Sequence, residues 1–111
     1  MQIAETVTGA VSVLVPQGPL SGADAKMFRD AAIEATVRRR GRVIIDASGI
    51  PFADSDGLEA LLDVADALSV SGRALKICQP ADTVREALVV TGIVGLFEFY
   101  PDVNAAVRSF L

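Results

Sequence analysis

The chain has 111 residues, about the size of one domain, with 51% of them apolar and only 5% aromatic, so a core of Leu, Val, Ile and Ala is expected. A net charge of −4 argues against nucleic-acid binding, which needs a basic face. Histidine is absent, which removes the usual general base and transition-metal ligand, and the single cysteine, Cys78, cannot form an internal disulfide.

Gln2 to Val7 alternates weakly between apolar and polar residues, and Val11 to Val15 alternates clearly. With Thr8-Gly9-Ala10 between them they predict an antiparallel hairpin. Gln17 to Gly22 is a loop by composition. From Ala23 to about Arg39 the apolar positions Met27, Phe28, Ala31, Ala32 and Ala35 follow a helical period, and Gly41 stops that helix. Arg38, Arg39 and Arg40 then lie where cations complement the helix dipole. With Arg42 they form either a solvated helix end or a dock for an acidic partner.

Val43-Ile44-Ile45 predicts a short buried strand. A helix from about Asp56 to Ser69 should follow, carrying Leu58, Leu61, Leu62, Ala65 and Leu68 toward the sheet, with Gly72 as its stop. Ala74 to Cys78 is a further strand, and Pro80 opens a helix through Val84, Leu88 and Val89. A glycine-punctuated turn over 91–96 leads to a strand over 97–100. Asp102 then caps a terminal helix with Val103, Ala106, Val107 and Phe110 on one face. The order is β-β-α-β-α-β-α-β-α in one domain. The first residues lack the basic start and apolar core of a secretory signal. No run approaches the ~18 consecutive apolar residues of a spanning helix. A cytoplasmic protein without membrane insertion is expected.

The chemistry concentrates between Ile44 and Leu58, where a strand ending in Asp46 is followed by a Gly/Pro loop and then by Asp54-Ser55-Asp56-Gly57-Leu58. Ser55 falls at a helix start, where backbone N–H groups favour an anion. Its hydroxyl either caps that helix or accepts a phosphate. Asp56 and Glu59 offer an alternative capping box, which would leave Ser55 outside the helix and free. Asp46 is expected to hold loop N–H groups. The acids lack the paired carboxylates and late lysine of a phospho-aspartate Mg²⁺ site, so neither metal nor cofactor is expected, and no nucleophile–base pair points to an enzyme.

The runs Ile44-Ile45-Asp46-Ala47-Ser48-Gly49-Ile50 and Phe52-Ala53-Asp54-Ser55-Asp56-Gly57-Leu58 resemble the STAS domain of anti-sigma factor antagonists. Gly18-Pro19-Leu20 is similar to the family's Gly-Glu-Leu after the second strand, and Thr91 to Phe97 to its Ser-Gly-Leu-Phe segment. The resemblance spans essentially the whole chain. It implies one α/β STAS-like domain over 1–111, a mixed sheet of about five strands with an N-terminal antiparallel hairpin and four helices packed on it.

It also implies a switch. In typical members the serine after the first Asp of the motif, here Ser55, is phosphorylated by an anti-sigma factor that is itself a serine kinase. The unphosphorylated antagonist binds that kinase and frees a sigma factor, and a PP2C-type phosphatase resets the switch. Asp46, Asp54, Asp56, Gly57 and Leu58 would form the partner-binding surface around Ser55. Two places depart from the family pattern: Asp56 stands where antagonists usually carry Ser, Thr or Ala, and the loop reads Gly18-Pro19-Leu20-Ser21 where they usually carry Gly-Glu-Leu-Asp. The competing expectation is a STAS accessory subunit that serves a lipid-transport ATPase without phosphorylation.

Overall fold

Short strands with apolar residues on both sides need cover on both faces, and the structure supplies it. The computed structural model describes residues 1–111. Strands β1 (Gln2–Thr8), β2 (Val11–Gln17), β3 (Val43–Asp46), β4 (Leu75–Cys78) and β5 (Phe97–Tyr100) form one sheet in that order. β1 pairs antiparallel with β2, Glu5 facing Leu14, and β2 to β5 are parallel. The helices are α1 (Gly22–Arg38), α2 (Ser55–Ser69), α3 (Asp82–Val90) and α4 (Val103–Arg108), with a 3₁₀ turn over Val94–Leu96 before β5. This is the expected mixed sheet with its hairpin and four helices.

Strand alternation sorts the core into two layers. Val43, Ile45, Leu75 and Ile77 face α1, α2 and α3, where Phe28, Leu61, Leu68 and Leu88 complete the larger cluster. Ile44, Cys78, Val11 and Val13 face the other way, under Ala106, Val103 and Val107 of α4. The helices thus divide three to one across the sheet. α1 and α2 pack closely because the buried side of α1 is built from Ala25, Phe28, Ala32 and Ala35.

That small-residue seam explains where the sequence pattern misleads. Met27 is 49% exposed, whereas the polar Thr36 is buried and donates its hydroxyl to the Ala32 carbonyl at 2.8 Å. On α2, Leu61 and Leu68 are buried together with Val64, while Leu58 and Leu62 are only half-buried. Val89 on α3 is also largely exposed. The arginine run is not simply solvated. Arg38 grips Glu5 through two bonds of 3.0 Å, and Arg39 donates to Ser12 at 2.9 Å, whose hydroxyl donates in turn to Glu5 at 2.8 Å. The buried Ser12 is thereby satisfied, and the C-terminus of α1 is tied to the hairpin.

Parallel strands joined by helices place every helix N-terminus at the carboxyl ends of the strands, where open sheets of this type present their sites. Leu61→Ala should cost about 2–5 kcal/mol, because its side chain is 2% exposed, and Leu62→Ala distinctly less. Urea midpoints of the two variants test this; equal losses would mean that α2 is rotated from the register described.

Candidate functional site

Three consecutive small polar residues, Asp54-Ser55-Asp56, compete to begin α2, and the structure awards the cap to the first. Asp54 is the N-cap, with extended backbone, and its Oδ1 accepts the Gly57 N–H at 3.0 Å. Ser55 and Asp56 follow as the first helical residues, both exposed. Neither expected alternative, a Ser55 cap nor an Asp56/Glu59 box, is the one adopted. The hydroxyl of Ser55 therefore has no capping duty.

The reason lies thirty residues upstream. Leu20 bridges Ala53 in parallel register, its N–H donating to the Phe52 carbonyl at 3.0 Å, and the Asp54 N–H donates to the Leu20 carbonyl at 3.2 Å. These bonds fix the backbone of Asp54 in the extended form that an N-cap requires. Gly57 then sits against the Leu20 carbonyl, so closely that a β-carbon at position 57 would collide with that oxygen. The glycine of the motif is a packing requirement.

Backbone N–H from Gly57, above all, and then the Ser21 hydroxyl hold the Asp54 carboxyl below its usual value of 3.8, with smaller help from the Asp56 and Gly22 N–H groups. Ser21, the N-cap of α1, makes no cap bond to its own helix. It lies close enough to Asp54 to help hold that carboxyl in its charged form.

The six predicted site residues do not all gather. Asp54, Ser55, Asp56, Gly57 and Leu58 share the first turn of α2, with Gly57 buried and Leu58 packed against the main core. Asp46 stands apart, on the α4 side of the sheet. Its Oδ1 accepts the Ser48 N–H at 3.1 Å, as expected of a loop-holding acid. It lies near Cys78, whose thiol is pushed up to about 11 by burial first and then by the carboxylates of Asp46 and Asp102. No three His, Cys, Asp or Glu side chains converge as a metal-binding group.

Two neighbours of Ser55 escaped the sequence reading. Phe52 is 48% exposed, two residues before the cap. A shallow groove of about 290 Å³ between α1 and α2 opens beside Asp56, lined by Lys26 and Arg29 on one side and Asp56, Glu59 and Asp63 on the other. Arg29 spans it to Asp63 at 3.5 Å. Periodicity could flag neither, because Phe52 lies in a loop and the groove depends on how two helices meet.

The family model that matches the chain is that of the STAS domain, over residues 2–106. No curated protein sequence matches significantly. Among solved structures, a Thermotoga maritima protein assigned as an anti-sigma factor antagonist superposes with a TM-score of 0.86 at 18% identity, covering 96% of this chain and 92% of its own. An anti-sigma factor antagonist from Mycobacterium paratuberculosis gives 0.79 at 23% identity, covering 97% and 92%. The Bacillus antagonist SpoIIAA matches in its unphosphorylated form, at 0.77 and 18% identity over 98% and 96%. Its phosphorylated form matches at 0.70 and 19% identity over 97% and 99%.

Two outcomes follow from this geometry. Gly57→Ala, which in an open helix would stabilise by up to about 1 kcal/mol, should here destabilise by roughly 1–3 kcal/mol and loosen the Leu20–Ala53 bridge; a rise in thermal midpoint would refute the close packing. The depressed carboxyl of Asp54 contributes stability above the unfolded value of 3.8, and that contribution is lost as pH falls through the lower folded value. The urea-midpoint gap between wild type and Asp54→Ala should thus be full at neutral pH and shrink in strong acid. A gap unchanged by pH would remove Asp54 as the charged cap.

Proposed function

The chain belongs to the STAS domain family, and on that footing we propose that it is an anti-sigma factor antagonist switched by phosphorylation of Ser55. The observation that carries this reading is the division of labour at the start of α2. Asp54 caps the helix, so the exposed Ser55 hydroxyl is available to a kinase without cost to the fold. A phosphate there adds roughly −1.5 to −2 charge at a helix N-terminus, which tolerates an anion. Between Asp54 and Asp56 it makes this end strongly negative, so the phosphate acts on docking and not on folding. SpoIIAA, whose unphosphorylated and phosphorylated forms both superpose on this chain, supports a switch that keeps the fold.

The partners in this reading are an anti-sigma factor serine kinase, which binds the unmodified surface around Asp54, Ser55, Asp56, Gly57 and Leu58, and a PP2C-type phosphatase that removes the phosphate. Asp46, held on the far side of the sheet, shapes the loop leading to that surface. The protein contributes a binding surface and no catalysis, with residues 1–111 acting as one domain in the cytoplasm. No helix is long and apolar enough to cross a membrane.

With ATP and Mg²⁺ alone the protein should incorporate no phosphate, and with its kinase it should incorporate one, placed on Ser55 by peptide mass spectrometry. Ser55→Ala should bind the kinase without being released, and Ser55→Asp should bind more weakly, because a carboxylate carries less charge than phosphate. Calorimetric titration of the purified kinase measures both. Equal affinity for the Ala, Asp and phosphorylated forms would overturn the switch and favour the constitutive accessory subunit, a reading that Asp56, already charged beside Ser55, accommodates.

A further inference from the structure

The end of the molecule opposite Ser55 has a different chemistry. The C-termini of α1, α2, α3 and α4 and the hairpin turn at Gly9-Ala10 gather at the amino ends of the parallel strands. Arg39, Arg40, Arg42, Arg73 and Arg108 lie at this end with no carboxylate in ion-pairing distance. Arg42 Nε donates to the Ala10 carbonyl at 3.4 Å, and Arg39 donates to Ser12 at 2.9 Å. Arg40 is exposed in a left-handed turn, φ 54°. Arg73 lies against Gly41 and 5.8 Å from the centre of the Phe110 ring, two residues beyond the exposed Arg108.

The same end carries exposed apolar side chains. Val37, Val70 and Val90, at the ends of α1, α2 and α3, are 75%, 89% and 78% exposed. The opposite end carries Asp24, Asp54, Asp56, Asp82 and Asp102 in the first turns or caps of the four helices. Glu5, Asp66 and Glu98 also lie near the basic end, and the Met1 ammonium, Lys26 and Arg29 near the acidic one, so the chain of net charge −4 keeps an excess of cations at one end and of carboxylates at the other.

We propose that the basic end docks peripherally on an anionic lipid bilayer. The charge is complementary, and the exposed valines give the apolar contact that interfacial binding adds to it. The arginines and valines are spread over the ends of four helices and not gathered in one groove. That pattern suits a broad fluid surface, whose headgroups move to meet each cation, better than a partner that must present fixed acids. The same anionic surface repels the acidic end, so the docked molecule holds Ser55 away from the bilayer. The inference does not depend on whether Ser55 is a switch.

Co-sedimentation of the full chain with vesicles of phosphatidylglycerol and phosphatidylcholine, against phosphatidylcholine alone, tests it. Binding should need the anionic lipid and fall steeply with added salt. Each arginine removed should weaken binding by about fivefold and a pair by roughly 25-fold at low salt. Arg40→Ala with Arg108→Ala is the first pair, and Arg40→Ala with Arg42→Ala a second should the first disturb folding. Val70→Asp should also weaken it, and Ser55→Asp should not. Absence of binding to anionic vesicles, or binding unchanged in both pairs, would overturn the proposal. So would equal binding to duplex DNA with equal loss in the variants, which marks a general polyanion surface. Self-association abolished by the same variants would overturn it too, by making a second copy the occupant.

Discussion

The Asp54 carboxylate is the interaction on which the rest of the site depends. It closes the first turn of α2 by taking the Gly57 N–H, and the backbone N–H of the same residue donates to the Leu20 carbonyl just before α1. One residue thus ties the start of α2 to the chain entering α1, and the two helices pack against each other along their length. Because Asp54 does this, Ser55 does not have to. A residue that capped its helix could not be modified without weakening that helix; one position further on, the hydroxyl is free. The Leu20–Ala53 bridge and the absence of a side chain at Gly57 hold Asp54 where it can perform this role.

The direction of the helices has a second consequence. Four helices returning antiparallel to the strands present four N-termini at one end and four C-termini at the other; an Asp stands in the cap or first turn of all four, and a basic residue in the last turn of α1 and α4. Together with Arg39, Arg40, Arg42 and Arg73 in the loops after α1 and α2, these charges polarise the molecule. The acidic end holds the proposed switch, and the basic end carries the exposed valines. In the proposed switch, a phosphate on Ser55 would sharpen this polarity.

Much of the fold was legible because its signals are local. Alternation in Val11–Val15, the aliphatic run Val43–Ile45 and the stops at Gly41 and Gly72 each declare an element without help from the rest of the chain. The helix faces were less legible. In α1, alanines pack the seam that bulkier residues would fill elsewhere, so Met27 looked like core and Thr36 did not. The cap of α2 could not be chosen from sequence, since Asp54, Ser55 and Asp56 are all suitable N-cap types or neighbours of one. Contacts with the loop around Leu20 decided it. The pairing of Arg38 and Arg39 with Glu5 and Ser12 spans about thirty residues and leaves no trace in any local window. Asp46 shares a motif with Ser55 but, at the end of a strand, its side chain falls on the opposite face of the sheet.

The central claim is that a phosphate on Ser55 changes the surface and not the fold, because Asp54 keeps the cap. Its most direct measurement is the amide ¹H–¹⁵N spectrum of the protein carrying phosphoserine at position 55, compared with the unmodified protein. Shifts confined to the first turn of α2 and the loop from Gly18 to Gly22, with the Gly57 amide still protected from exchange, are the expected result. Loss of Gly57 protection, or shifts spreading through α2 into the sheet, would show that phosphate displaces the Asp54 cap and would contradict the account.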